Sequence, residues 1–318
     1  MKTDQVPSVS IITTAFNVGR YIEATIRSVA EQSRTDHEHI IVDDGSSDDT
    51  RRIIASLASA DQRIKVVLHD RNLGASAARN SGLDRTSAPF VCFLDGDDTW
   101  ESDFLDVMLS EIKSRSNSCE AVFCASRVID ESGRFTGAVH RSEPGAYNLA
   151  RMLAGVCPPG NGSSLIIRRT VFVGAGLFDP SRKSGEETEM WLRMLEDSDD
   201  KYFWCIDRPL VRYRQRPGSL SKNHKSDRLA SLEMRITKYI DRVRPEERWD
   251  IYAKYASIGL SLVEEAHPAI DEWIGIVFRA DPLRLLAGGA YKRVALAALI
   301  GTRRYFGLYR LWRRCLRR

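Results

Sequence analysis

The sequence has 318 residues, 43% hydrophobic and 28% charged, a globular composition that excludes wholesale disorder, collagen and a long coiled coil. Lys and Arg number 47 against 43 Asp and Glu, a formal charge of +4, too balanced for a dedicated nucleic-acid binder. The charge is unevenly spread: from Leu283 onward there are ten bases and no acid, leaving 37 bases against 43 acids in residues 1–282.

A β-branched run from Ser10 to Thr14 predicts a strand, and Ile22, Ile26 and Val29 at helical spacing predict a helix over Tyr21 to Glu31. The pair recurs. Ile40 to Val42 leads to a helix near Asp48 to Leu57, Ile64 to Leu68 to one near Ala75 to Leu83, and Phe90 to Leu94 to one near Phe104 to Ile112, with Ala121 to Cys124 a fifth strand. This alternation predicts an α/β fold with a mostly parallel sheet flanked by helices, whose ligands bind at the C-terminal ends of strands. Between Asp130 and Arg168 the chain is rich in Gly, Pro, Ser and Asn, including Cys157-Pro158-Pro159-Gly160-Asn161-Gly162. Sparse regular structure and a binding loop or crossover are expected there. From Asp227 onward the reading is helical, with Leu229, Leu232, Ile236, Tyr239, Ile240 and Val243 in one apolar stripe. A boundary near Asn223 divides residues 1–222 from a helical region, 223–318.

The six cysteines, Cys92, Cys119, Cys124, Cys157, Cys205 and Cys315, form no CxxC pair and are expected as buried, reduced thiols in a cytoplasmic protein. Met1 to Ser10 lacks the basic-then-apolar order of a secretory signal. The longest apolar run, Val294 to Ile300, falls short of the ~20 residues that span a bilayer.

Two carboxylate clusters leave the predicted sheet: Asp43-Asp44-Gly45-Ser46-Ser47-Asp48-Asp49 after one strand and Asp95-Gly96-Asp97-Asp98 after another. Carboxylates at this density repel one another and call for cations or hydrogen-bond donors, and oxygen ligands suit Mg²⁺ and Mn²⁺. Asp48 and Asp49 are read as caps of the following helix; Asp95 and Asp97 are read as functional. Between the clusters, Asn72 to Gly82 is rich in small residues. Two readings stand there: a helix N-terminus presenting N–H groups to an anion with Arg79 reaching a diphosphate, or a helix packed tightly on a sheet.

Val9-Ser10-Ile11-Ile12-Thr13-Thr14-Ala15-Phe16-Asn17, Val42-Asp43-Asp44-Gly45-Ser46, Asn72 to Gly82 and Leu94-Asp95-Gly96-Asp97-Asp98, in this order, resemble the family 2 inverting glycosyltransferases of the GT-A fold. The likeness continues through Gly176-Leu177-Phe178-Asp179, Glu186 to Arg193 and Tyr213-Arg214, covering residues 8 to 221. It implies a hexosyltransferase-type enzyme that moves a sugar from a nucleoside diphosphate sugar, a UDP-sugar above others, to an acceptor hydroxyl in polysaccharide or glycoconjugate biosynthesis. By this resemblance Thr14 and Asp44 line the base pocket, with Asp44 accepting from the uracil N3–H and Asp43 a close second. Asp95 and Asp97 hold Mn²⁺ or Mg²⁺ on the diphosphate and ribose, Asp98 shapes the sugar site, and Arg79 sits near the phosphates.

Inversion needs a base on the face opposite the leaving group. The family pattern has an Asp there, whereas this sequence has Glu187, with Glu186 the other candidate and Glu189 a supporting acid. Ser184-x-x-Glu187 also reads as a capping box. Trp191 is read as core. The run Tyr213 to Ser221 resembles the loop that closes over the donor, with Arg216, Ser219 or His224 near the phosphates or metal; a solvated linker is the other reading. The alternative is a catalytically inactive nucleotide-sugar-binding module, separated from the enzyme by whether Glu187 serves as base. A dehydrogenase lacks its GxGxxG turn here, and a P-loop enzyme its GxxxxGK.

In residues 303–318, Tyr305, Leu308, Tyr309, Trp312 and Leu316 oppose Arg303, Arg310, Arg314 and Arg317. Two readings stand for this basic amphipathic pattern: peripheral contact with the inner face of a membrane, which suits a lipid-linked acceptor as well as a glycan, or a solvated helix that packs its apolar side on the body.

Overall fold

The computed structural model describes residues 6–155, 161–182, 185–216, 225–263, 265–287, 291–306 and 308. The chain divides into two compact units, 1–219 and 220–318.

The first unit opens with the expected alternation: β1 (Val9–Ala15), α1 (Ile22–Ala30), β2 (His37–Asp43), α2 (Thr50–Ala60), β3 (Ile64–Leu68), α3 (Ala75–Leu83) and β4 (Phe90–Asp95). The four strands pair in parallel in the order β3-β2-β1-β4. The apolar runs of β1, β2 and β4 are buried on both faces, as a helix-covered parallel sheet requires, whereas β3, at the edge of the sheet, is half-buried to exposed. On one side Val9, Ile11, Cys92 and Leu94 pack with Phe104, Leu105, Met108 and Ile112 of α4 (Phe104–Lys113). On the other Ile41 meets Ile22, Ile26 and Ile54. Helix α3 lies so close to the sheet that a Cβ on Gly82 would stand 2.4 Å from Ile12 Cγ2. Its small residues thus serve tight packing, while Arg79 leaves the same helix toward the site.

Beyond β4 the sheet becomes mixed. The remaining strands are β5 (Thr99–Trp100), β6 (Cys119–Ile129), β7 (Phe135–His140), β8 (Gly145–Tyr147), β9 (Leu165–Arg168) and β10 (Tyr202–Arg214). The path continues β4-β9-β6-β10-β5, with β7 on β6 and β8 on β10. β9 is antiparallel to both β4 and β6, whereas β6 and β10 run parallel. The segment read as poor in regular structure therefore holds β7, β8, the short helix α5 (Leu149–Ala154) and β9. These pieces are three to six residues long, too short for a periodicity to develop, and partner strands stabilise them. β10 hides for another reason. Its ladder with β6 is irregular around Pro209, and that breaks the alternation expected of a strand.

Helices α6 (Val171–Ala175) and α7 (Glu186–Arg193) complete the unit. Trp191 is buried against Phe178 and Phe203, the core position expected. Cys92, Cys119, Cys124 and Cys205 are buried free thiols, their pKa values pushed up by burial; Cys157 and Cys315 lie outside the described residues.

The second unit comprises α8 (Lys225–Tyr239), α9 (Pro245–Leu262), α10 (Pro268–Ala280), α11 (Pro282–Ala287) and α12 (Lys292–Ile300). The predicted stripe is buried: Leu229, Leu232, Ile236, Tyr239, Ile240 and Val243. Among the described residues no helix is long and apolar enough to cross a membrane.

Candidate active site

Strand register brings the two acidic clusters together. β1 lies between β2 and β4, with Ala15 opposite Asp43 and Thr14 opposite Asp95. Both clusters therefore emerge at one edge of the sheet, on either side of the end of β1.

The first cluster is held within the fold. Asp43 is fully buried and its Oδ2 accepts from Arg51 Nε at 2.9 Å. Asp44 is almost as buried. Its Oδ1 accepts from Leu73 N at 2.9 Å and from His69 Nδ1 at 2.7 Å, and its Oδ2 from Gly74 N at 2.9 Å. Facing a carboxylate, His69 Nδ1 is the donor, and its Nε2 lies 2.9 Å from Ser81 Oγ. Asp48 accepts from Gly19 N and Thr50 N, whereas Asp49, which occupies the N-cap of α2, makes no side-chain cap bond, contrary to the capping expected of it, and pairs with Arg52 instead. Phe16 and Leu73 adjoin this cluster and are 43% and 45% exposed.

The second cluster is overloaded. Thr25 Oγ1 lies 2.8 Å from Asp98 O and 3.1 Å from Gly96 O, which anchors the turn. Asp98 is buried, its Oδ1 accepting from Arg214 N at 2.8 Å and its Oδ2 from Ser163 Oγ at 2.7 Å. Ser163 Oγ also accepts from Asp95 N at 3.1 Å. Asp97 accepts from Arg216 Nε at 2.7 Å.

Buried Arg79 joins this turn to α7. Its Nη2 donates to Asp95 Oδ1 at 3.2 Å and to Glu187 Oε1 at 2.6 Å, and its Nη1 to Glu186 Oε1 at 2.9 Å. Its Nε is buried without a partner among the described residues. Glu187 Oε1 also accepts from Gly162 N at 3.1 Å, and a Cβ at Gly162 would stand 2.3 Å from it. Glycine at 162 is what lets the carboxylate reach this place. Ser184, the other half of the expected capping box, lies outside the described residues; α7 has Gly185 at its N-cap in the left-handed conformation.

The electrostatics follow from these contacts. Burial and then neighbouring carboxylates outweigh the donors, so the pKa values of Asp95 and Asp98 are raised and that of Glu187 is pushed up to about 7. The Arg79 pKa is raised as well: burial opposes its charge, but Glu187, Asp95 and Glu186 outweigh it, so the guanidinium stays charged. Among the described residues no group of three or more His, Cys, Asp or Glu side chains forms a metal cage. Asp95 Oδ2 and Asp97 Oδ1 nevertheless accept from no described group, and Mg²⁺-type ions use one or two carboxylates with substrate phosphates completing the shell. An acid-rich edge with two oxygens to spare fits a hard divalent ion.

The model of the family described as Glycosyl transferase family 2 matches residues 10–174. This chain is a family 2 glycosyltransferase. The teichuronic acid biosynthesis glycosyltransferase TuaG of Bacillus subtilis (strain 168), itself named as putative, is 32% identical over 226 residues, 70% of this chain and 84% of TuaG. Further curated relatives are matched over shorter stretches, about a third of their own length. Among solved structures, S. aureus TarS 1–349 in complex with UDP-GlcNAc aligns over 92% of this chain and 79% of that chain, with a TM-score of 0.56 at 18% identity. The mannosyltransferase PcManGT of Pyrobaculum calidifontis in complex with GDP-Man and Mn²⁺ aligns over 97% and 88%, at 0.57 and 17%. These likenesses bear out the expected fold, a central sheet flanked by helices with a helical C-terminal region.

In this glycosyltransferase Asp95, Glu186 and Glu187 all contact Arg79, with Asp97 and Asp98 in the same turn as Asp95. Thr14 is at the end of β1 beside Asp95, and Asp44 is held by His69 and the backbone of Leu73 and Gly74. Asp43, expected beside Asp44, is turned inward to Arg51. Glu189 pairs with Arg193. Ser219 and His224 lie outside the described residues, while Arg216 reaches Asp97. Sequence reasoning missed Gly162, Ser163 and His69. The Asn161-Gly162 dipeptide marked a loop, but only the folded chain shows that loop pressed against both Asp98 and Glu187.

Proposed function

We propose that this glycosyltransferase takes a sugar from a UDP-sugar and passes it to an acceptor hydroxyl with inversion, in polysaccharide or glycoconjugate biosynthesis. Glu187 is the general base, Asp95 and Asp97 are the metal-binding acids, and Arg79 is the phosphate-side cation. One observation carries the reading: a single guanidinium nitrogen of Arg79 touches both Asp95 and Glu187. That contact puts the acid for the leaving-group side and the acid for the acceptor side within one side chain of each other. Asp98 shapes the sugar site, and Thr14 adjoins it.

Uridine is favoured by the bonding of Asp44. Oδ1 already has two donors and Oδ2 one, so one lone pair remains. A single N–H such as uracil N3–H uses that pair, whereas the guanine edge, with two neighbouring donors, asks for both oxygens. Exposed Phe16 and Leu73 supply apolar surface for the base. TarS, solved with UDP-GlcNAc, agrees with a uridine donor, and PcManGT, solved with GDP-Man and Mn²⁺, with a divalent ion. TuaG's name points to polysaccharide assembly.

A bound divalent ion supplies Lewis-acid stabilisation of the departing diphosphate. The chain's own residues do the rest. Arg79 offers its buried charge to the phosphates, which frees Glu187 from that ion pair. Glu187, poised near neutrality, then takes the proton of the acceptor hydroxyl as it attacks. Calorimetry with UDP, GDP and dTDP sugars, each with and without Mn²⁺, tests the donor half: metal-dependent binding of UDP-sugars alone is expected. Donor binding in Glu187→Gln with turnover lost supports the base assignment, and unchanged turnover overturns it.

A further inference from the structure

The C-terminal helical unit carries a surface that the reaction does not use. On α12, Val294, Ala295 and Ala297 are buried, whereas Lys292, Leu296 and Leu299, at i, i+4 and i+7, share the outer face. Leu296 is 46% exposed and Leu299 60%; Leu283 on α11 and Leu308 are also exposed. Beside these leucines a groove of about 470 Å³ is lined by Ile274, Phe278, Ala297 and Ala298, with Arg303 and Arg304 at the same site. Asp271, also in the lining, accepts from Thr302 Oγ1. Among the described residues Lys292, Arg293, Arg303 and Arg304 pair with no carboxylate. No acid follows Asp281 anywhere in the sequence.

We propose that this face docks on an anionic lipid surface, with Leu296 and Leu299 entering the acyl boundary, the groove taking apolar chain, and Lys292, Arg293, Arg303 and Arg304 meeting lipid phosphates. Protruding leucines, unpaired bases and a groove whose one lining acid, Asp271, is already bonded to Thr302 are the chemistry that such a surface selects. A protein partner of acidic character would satisfy the bases but leave the leucines without a reason to be exposed. All the residues of this face belong to the second unit and none has a part in the donor reading, so the proposal stands or falls independently of it.

The test is co-sedimentation of the full chain with vesicles of phosphatidylglycerol and phosphatidylcholine in equal parts, against phosphatidylcholine alone. Wild type should partition about tenfold or more in favour of the anionic vesicles. Leu296→Ser/Leu299→Ser should lower that partition about tenfold, with an unchanged near-ultraviolet spectrum because both positions are exposed. Arg303→Gln/Arg304→Gln should lower it independently and flatten its salt dependence. Equal pelleting with both vesicle types, no pelleting of wild type, or full binding by the leucine variant, with residues 309–318 then carrying the contact alone, overturns the proposal.

Discussion

Two acidic clusters leave the same sheet edge, one residue of β1 apart in register, yet they are in opposite electrostatic condition. At the end of β2 each carboxylate has a donor from the fold: Arg51 for Asp43, His69 and two backbone amides for Asp44, backbone amides for Asp48, and Arg52 for Asp49. At the end of β4, Asp95, Asp97 and Asp98 stand with Glu186 and Glu187 around Arg79 and Arg216, and burial raises the pKa values of Asp95, Asp98 and Glu187. The first cluster is satisfied by the fold apart from Asp43 Oδ1, which is buried without a partner among the described residues. The second is left with carboxylates whose charge burial disfavours.

The largest effect expected from breaking this contrast is at Glu187. Glu187→Gln should lower kcat by about a thousandfold while UDP-sugar binding, followed by calorimetry, stays within a few-fold. Next comes Asp97→Asn, which should weaken Mn²⁺-dependent donor binding by about a hundredfold and leave metal-free binding nearly unchanged. If binding in the presence of Mn²⁺ does not change, Asp97 is not a metal ligand.

The pH dependence sharpens the same difference. Glu187 must be ionised to act as base, and its folded pKa is raised to about 7. The acceptor kcat/KM should therefore fall as pH drops below about 7, and that acidic limb should vanish in Glu187→Gln. The sign for stability is opposite: a carboxylate with a raised pKa costs the fold increasingly as pH rises from its ordinary 4.5 through 7. Glu187→Gln should thus raise Tm at pH 8 relative to wild type. Glu38 provides the control away from the site. Lys65, Ser10 and Ser87 outweigh its burial and hold its pKa down at about 2; its stabilising effect is complete above 4.5 and lost as pH falls toward 2. Glu38→Gln should lower Tm at pH 7 and matter little at pH 2.

The smallest effect belongs to the satisfied cluster's surface. Asp49→Ala, removing an exposed pair with Arg52, should leave both Tm and turnover where they were.

Much of the site was legible in the sequence because short apolar strands followed by Asp-rich turns occur in a fixed order. Asp95 and Asp97 could be named from those motifs, Arg79 from one of the two readings of its helix, and Glu187, with Glu186 beside it, from the resemblance to the family 2 glycosyltransferases. The roles of Gly162, Ser163 and His69 were not legible, since each acts through contacts with residues between 12 and 65 positions away. The same distance hides the difference between Asp43 and Asp44, adjacent in the chain and alike in type, of which one faces Arg51 and the other the loop before α3.

Local pattern by itself determined the strand-helix alternation through β4, the two carboxylate clusters, the helical C-terminal region and its basic end, because apolar spacing and charge are properties of neighbouring residues. Tertiary structure alone decided that β9 and β10 join the sheet, that Arg79 bridges its turn to α7, and that the second cluster keeps excess charge. Strand pairing and desolvation depend on which distant segments meet, and a sequence pattern does not carry that information.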